Sequence, residues 1–378
     1  MMFQKATLAN GLRVVTAELP HTRSATVSVY VGAGSRYEPD EEAGLSHFLE
    51  HMLFKGASRR PTAREISEAI ESVGGVHNAA TDREATVYYA KVPHWAALEA
   101  VDILADMVSA PVMAPDELEK ERHVILEELA GIEDSPAELA GILADETLWP
   151  GQPLGRNVGG TPETVRILPL SAVNRYLRAQ YVPSNMVLVA AGNIRHHEVL
   201  SAAERWLGGM APAEPGSWFP AEPAADGARI ATRLKATEQA HLCLSYPTVA
   251  VDHPDRFAVD RDAGAFTIYA GSEPETARTT LEVCLSEIVS LLRTVTPEEL
   301  EKGKRMAEGR IQLRMEDTRS VAGWLGSQEL LLGEILSVDE VVRRFEAVTI
   351  DDLVRVGTEY LNPARATLAA VGPFEDSS

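Results

Sequence analysis

Cysteine is nearly absent from this chain. Cys243 and Cys284 are its only two in 378 residues, too few for a disulfide framework and without metal-ligand spacing, so both read as small core residues. Long apolar runs are absent as well; none reaches the roughly 18 residues of a membrane span, and no transmembrane helix is expected. Positive charge is scarce, with 35 Lys and Arg against 56 Asp and Glu for a formal net charge of −21. Nucleic-acid binding needs a basic footprint, and this balance argues against it. The opening MMFQKATLANGLRVV lacks the apolar core of a secretory signal and runs straight into strand-like alternation, so a cytoplasmic location is the default expectation. What remains, 45% hydrophobic and 24% charged residues, suits a soluble chain of two or more domains with ordinary cores.

Against that background one pentapeptide stands out, His47-Phe48-Leu49-Glu50-His51 within GLSHFLEHMLFKG. On a helix, positions i and i+4 lie about 40° apart on one face, so His47 and His51 can turn imidazole nitrogens toward a single cation. Glu50 lies on the same side, a carboxylate placed to take a proton from water beside the metal. The order His-x-x-Glu-His is that of the inverted zinc hydrolases. An ordinary amphipathic helix can produce the same pentapeptide, so the flanks decide.

A catalytic zinc takes three protein ligands, and a third must come from elsewhere. Downstream, DELEKERHVILEELAGIEDSP has helical periodicity with Leu118, Val124, Ile125 and Leu129 as its apolar stripe. Glu121 and Glu128, seven apart, fall almost on one line of that helix, and Glu127 is the rival of Glu128. At this point five segments in order, GLSHFLEHMLFKG, NAATDREATVYYAKV, ELEKERHVILEE, PLGRNVGGTPE and YVPSNMVLVAAGN, resemble the pitrilysin/insulinase family of zinc peptidases, in particular its processing-peptidase branch.

The resemblance implies one zinc per chain held by His47, His51 and Glu128, with Glu121 orienting a histidine ligand and Glu50 as catalytic base. Glu128 is preferred to Glu127 because it matches the family's glutamate. Asn78 and Ala79 match the strand that faces substrate, and HNAATDREATVYYA reads as a strand with an exposed edge suited to pairing with an extended peptide. Arg83 and Glu84 read equally well as a surface ion pair. His77 reads as structural. The implied activity is a zinc endopeptidase acting on peptides or unfolded segments, assembled as a homodimer or as a heterodimer with a related subunit. The alternative is a non-catalytic structural or peptide-binding subunit of the same fold. Excess acid suits a basic peptide drawn inward, and suits solubility equally.

The chain also repeats itself. The stretch from Thr86 resembles that from Thr267, with DELEK matching EELEK, and AQYVPSNMVLVAAGN resembles TEYLNPARATLAAVGP. Strand-like and helical patterns alternate in both halves, which predicts an α+β fold of two duplicated domains, each with helices on a mostly antiparallel sheet. The expected boundaries are 1–209 for the metal-bearing domain, 210–228 for a linker rich in Pro, Gly and Ala, and 229–378 for the second domain. The second half is short. Tyr30 precedes Thr86 by 56 positions, whereas Tyr246 precedes Thr267 by 21, so about 35 residues lack a counterpart. The excision point reads as Asp260-Arg261. In relatives this interval carries an R-x-x-x-G-L-x-Y pattern that grips substrate and steadies the oxyanion; the pattern occurs nowhere in this sequence.

Overall fold

The computed structural model describes residues 3–222, 227–250, 253 and 263–374. The expected excision point at Asp260-Arg261 lies outside the described residues, as does 223–226 of the linker. In the first half the strands are β1 (Gln4–Thr7), β2 (Arg13–Glu18), β3 (Ser24–Val31), β4 (Val76–Thr81), β5 (Thr86–Pro93) and β6 (Met186–Gly192). The helices there are α1 (Leu45–Leu53), α2 (Ala63–Glu71), α3 (Ala97–Ser109), α4 (Pro115–Asp134), α5 (Pro136–Leu148), α6 (Pro162–Ile167), α7 (Leu170–Gln180) and α8 (His196–Leu207). The second half has β7 (Arg229–Leu234), β8 (Ala240–Thr248), β9 (Gly264–Ser272) and β10 (Thr367–Gly372). Its helices are α9 (Ala277–Thr294), α10 (Pro297–Arg314), α11 (Thr318–Leu331), α12 (Val338–Ala347) and α13 (Ile350–Tyr360). The fold is α+β.

Each half builds one sheet, in the order β1-β2-β6-β3-β5-β4 and β7-β10-β8-β9. In both, a central strand runs parallel to one neighbour and antiparallel to the other: β6 between β2 and β3, β10 between β7 and β8. The register measures the missing segment. Val27 faces Ala190 and Leu242 faces Ala370, so β8 stands 215 positions after β3 while β10 stands 180 after β6, a difference of 35. The register also moves the sequence match by one residue, making Ser245 the counterpart of Tyr30 and Thr267 that of Val87. Among the described residues, the second half has no partner strand beyond β9 and no helix matching α1. Where α7 packs on α1 in the first half, the corresponding α13 instead lines an apolar cavity of about 160 Å³ with Phe266, Leu291 and Leu361.

The compact units interleave rather than follow the contiguous halves. Unit one takes residues 1–126, 158–218 and 309–341, and unit two takes 127–157, 219–308 and 342–378. The physical reason lies in β6, MVLVAAG, buried at every position; a strand apolar on both faces needs cover on both. In unit one α3 packs on one part of the sheet, and α11, from the second half of the sequence, packs on β2, β3 and β6. There Val321, Ala322, Leu325 and Leu330 close a cluster with Val15, Val187 and Val189. Gly326 lets α11 press on the ring of Tyr30, where a Cβ would come within 2.2 Å of it. In unit two, α5 from the first half covers β10 and β8, burying Leu139, Ala140 and Ala144 against Cys243, Ala369 and Val371.

Two local readings change. HNAATDREATVYYA is a hairpin of β4 and β5 closed by the Asp82 N–H donating to the Ala85 carbonyl at 2.8 Å, because Asp82 and Arg83 break the alternation. On α4, Leu118, Ile125 and Leu129 are buried but Val124 is 42% exposed. The stripe follows i, i+7 and i+11, and Val124 falls off it.

Candidate metal centre and active site

Helix α1 begins at Gly44, whose φ of +94° favours glycine. No side chain of its own caps it; instead the buried carboxylate of Glu38 accepts from the N–H groups of Gly44 at 2.8 Å and Ser46 at 2.6 Å. An anion there satisfies orphan donors and suits the positive end of the helix. The Ser46 hydroxyl bonds Tyr176 Oη on α7 at 2.7 Å. Gly160, with φ +77°, brings its backbone so close that a Cβ would sit 2.2 Å from the Ala43 carbonyl oxygen, which explains the second glycine of the pair in PLGRNVGGTPE. Gly160→Ala is expected to lower unfolding stability by about 2 kcal/mol or more, read by urea titration, since both the left-handed backbone and the contact oppose a side chain.

Leu45, Phe48, Leu49, Met52 and Leu53 are buried, which leaves His47, Glu50 and His51 half-buried on the remaining face. Burying each large side chain contributes about 1.5–3 kcal/mol and fixes the rotation of the helix. The two imidazoles meet edge to face, 79° apart in plane, with their Nε2 atoms 3.3 Å apart. Burial, then the neighbouring His51, pulls the His47 pKa down to about 4, so that ring is neutral at pH 7, as a metal ligand must be.

Helix α4 supplies the carboxylates. Glu121 is buried, with Oε2 3.0 Å from His51 Nδ1 and Oε1 2.7 Å from Lys55 Nζ. A carboxylate only accepts, so in this pair His51 Nδ1 is the donor and Nε2 is the nitrogen that faces His47. Two turns on, Glu128 brings a carboxylate oxygen so that it and one nitrogen from each of His47 and His51 all lie within 4.8 Å of one another. Glu127 is not in that group.

The residues fit a tetrahedral zinc. With Zn–N bonds of about 2.0–2.1 Å the nitrogen–nitrogen edge is about 3.3–3.4 Å, matching the Nε2 separation, and the donor set of two nitrogens and one oxygen is the usual one for a catalytic site. Glu121→Gln is expected to weaken zinc binding about ten- to a hundredfold, measured by competition with a chelator, because it orients His51 and raises its basicity.

Glu50 Oε2 accepts from Thr81 Oγ1 at 2.5 Å. Thr81 ends β4, the edge strand of its sheet. Asn78 is exposed and its Oδ1 accepts from the Ala79 N–H at 2.8 Å, while Ala79 is half-buried on the face shared with His77 and Thr81. Tyr88 and Tyr181, both fully buried, join their hydroxyls at 2.8 Å near Glu50. Reading the sequence missed Thr81 and Tyr181, since nothing in their spacing ties them to α1, and it missed Lys55, although its place four residues after His51 was a signal. Glu84 is not a surface residue; it is buried and its carboxylate accepts from the wholly buried Arg36 at 2.6 Å. His77 stacks on Phe54 with centroids 5.5 Å apart, and burial lowers its pKa.

The fold and the His-x-x-Glu-His motif on α1 are those expected of the inverted metallopeptidases. The description "Insulinase (Peptidase family M16)" matches residues 13–162 and "Peptidase M16 inactive domain" matches 168–261; the chain belongs to this family. An uncharacterized zinc protease of Streptomyces coelicolor is 32% identical, over 99% of this chain and 90% of that one. The probable mitochondrial-processing peptidase subunit beta of Arabidopsis thaliana is 28% identical over 98% of this chain and 78% of its own. A protease from Helicobacter pylori shares the fold with a TM-score of 0.91 at 22% identity, covering 98% of this chain and 99% of the other. The Streptomyces alignment runs over 415 positions against 378 residues here, so that relative carries tens of residues without counterpart in this chain. No helix among the described residues is long and apolar enough to cross a membrane.

Proposed function

We propose that the chain is a zinc endopeptidase whose metal is held by His47, His51 and Glu128 and whose general base is Glu50. The observation that carries the reading is the convergence of two imidazoles and one carboxylate within 4.8 Å, beside a second carboxylate, Glu50, on the histidines' own helix face. When bound, zinc supplies a Lewis acid for a peptide carbonyl and acidifies water near neutral pH. Glu50 takes the proton of the attacking water at Oε1 and delivers it to the leaving amine, while Oε2 stays with Thr81. The outer edge of β4, unpaired by any strand among the described residues, aligns an extended peptide at Asn78 and Ala79 by strand pairing. The net charge of −21 favours a basic peptide.

A partner completes this reading. The Arabidopsis relative is named as a subunit, and this chain lacks the arginine–tyrosine pattern; missing oxyanion donors typically cost about 10²–10³ in turnover. The test is hydrolysis of a quenched fluorescent basic peptide by zinc-quantified protein, alone and with chelator. Chelator-sensitive cleavage at one zinc per chain supports a peptidase that works alone. Bound zinc without cleavage, by the chain and by its mixtures with related subunits, overturns the catalytic reading in favour of a non-catalytic peptide-binding subunit.

A further inference from the structure

The hydroxyl of Thr81 has one proton and one destination. Its Oγ1 stands 2.5 Å from Glu50 Oε2 and 3.4 Å from Thr86 Oγ1. Thr86 Oγ1 in turn donates to the Ala33 carbonyl at 2.9 Å, so its own proton is committed there. Glu50 Oε2 is the acceptor of the Thr81 hydroxyl. The bond therefore runs from Thr81 to Oε2, charge-assisted and half-buried, which makes it one of the strong kind.

The side chain that donates is itself stiff. Threonine is branched at Cβ, and in a strand it has few choices of χ1. Thr81 pairs with Thr86 in the β4/β5 register, and its hydroxyl meets that of Thr86. Beyond lie Tyr88 and Tyr181, whose ionisation is opposed first by burial and also by the charge of Glu50; they stay protonated and join their hydroxyls to each other. Thus the strand that has an open edge for a peptide also holds one oxygen of the carboxylate on α1.

We infer that Thr81 is a positioning residue for Glu50: it pins Oε2 so that Oε1 is the oxygen presented to water, and it ties the base to the strand along which substrate pairs. This inference rests on the reading of Glu50 as general base. Preorganisation of this kind acts on kcat rather than on metal affinity or KM, because it changes neither the ligands nor the strand edge.

The test compares Thr81→Val, which keeps the branched shape and loses the hydroxyl, with Thr81→Ser, which keeps the hydroxyl. Zinc content, kcat, KM and the orientation of the Glu50 carboxylate in crystal structures of both variants are measured. Expected for Thr81→Val are a fall in kcat of about ten- to a hundredfold, a turned carboxylate, and KM and zinc content within about twofold of the parent. Thr81→Ser is expected to restore both kcat and orientation. An unmoved Glu50 with parental kcat in Thr81→Val overturns the inference, as does a Thr81→Ser variant equally impaired with Glu50 in place. If the parent shows no chelator-sensitive cleavage, alone or mixed with related subunits, the peptidase reading fails, while the carboxylate orientation still decides whether Thr81 holds Glu50. Should Thr81→Val not fold, Thr81→Ala carries the same comparison.

Discussion

Glu50→Gln is expected to lower peptide hydrolysis by about 10²–10⁴-fold while leaving one zinc per chain. The substitution is nearly isosteric, and an amide oxygen can still accept from Thr81 Oγ1, so the local packing is kept. What is lost is the ability to take and return a proton, and the contribution of a positioned general base has that size. The metal should stay, because His47, His51 and Glu128 are untouched. Steady-state rates on a quenched peptide, with metal content measured in the same samples, check this. Loss of zinc together with activity would assign Glu50 a structural part in the site, and unchanged turnover would remove it from the mechanism.

His51→Ala is expected to abolish stabilisation by zinc. A ligand that binds only the folded state adds about 2.7 kcal/mol when present at a hundred times its dissociation constant. The parent should therefore gain roughly that amount over its chelated form in equilibrium unfolding, and the variant should gain none at the same zinc concentration. His47→Ala and Glu128→Ala should behave alike. Glu127→Ala is the control: its carboxylate lies outside the converging group, so zinc should stabilise that variant as it does the parent. The Glu121–Lys55 pair survives in His51→Ala, which keeps the loss from being a simple collapse of α4. If Glu127→Ala instead loses the zinc effect and Glu128→Ala keeps it, the third ligand has been placed one residue off.

The parts legible in the sequence are those that a local period or a self-match encodes. The i, i+3, i+4 spacing of His47, Glu50 and His51 put them on one helix face, and the structure has them there, half-buried on α1. The repeat of DELEK in EELEK marks α4 and α10 as counterparts, and the count of about 35 absent residues matches the difference in sheet register. Local patterns failed where a residue's partner is distant. Glu84 sits next to Arg83 in the chain but pairs with Arg36, 48 positions earlier. Val124 looked like part of an apolar stripe, yet the face of α4 that buries Leu118 and Ile125 excludes it.

By itself the sequence determined the candidate ligand types, their spacing on α1, the net acidity and the duplication of the fold, because each of these is written in residue chemistry and in periods of two, 3.6 or one half-chain. Only the tertiary structure decided that α5 and α11 cross to cover sheets outside their own halves, that Glu38 caps α1, and that Thr81 reaches Glu50. The physical reason is the same in each case. A sheet buried on both faces, an orphan N–H and a buried carboxylate all require a partner, but the requirement names only the kind of group; which segment meets it depends on how the chain packs as a whole.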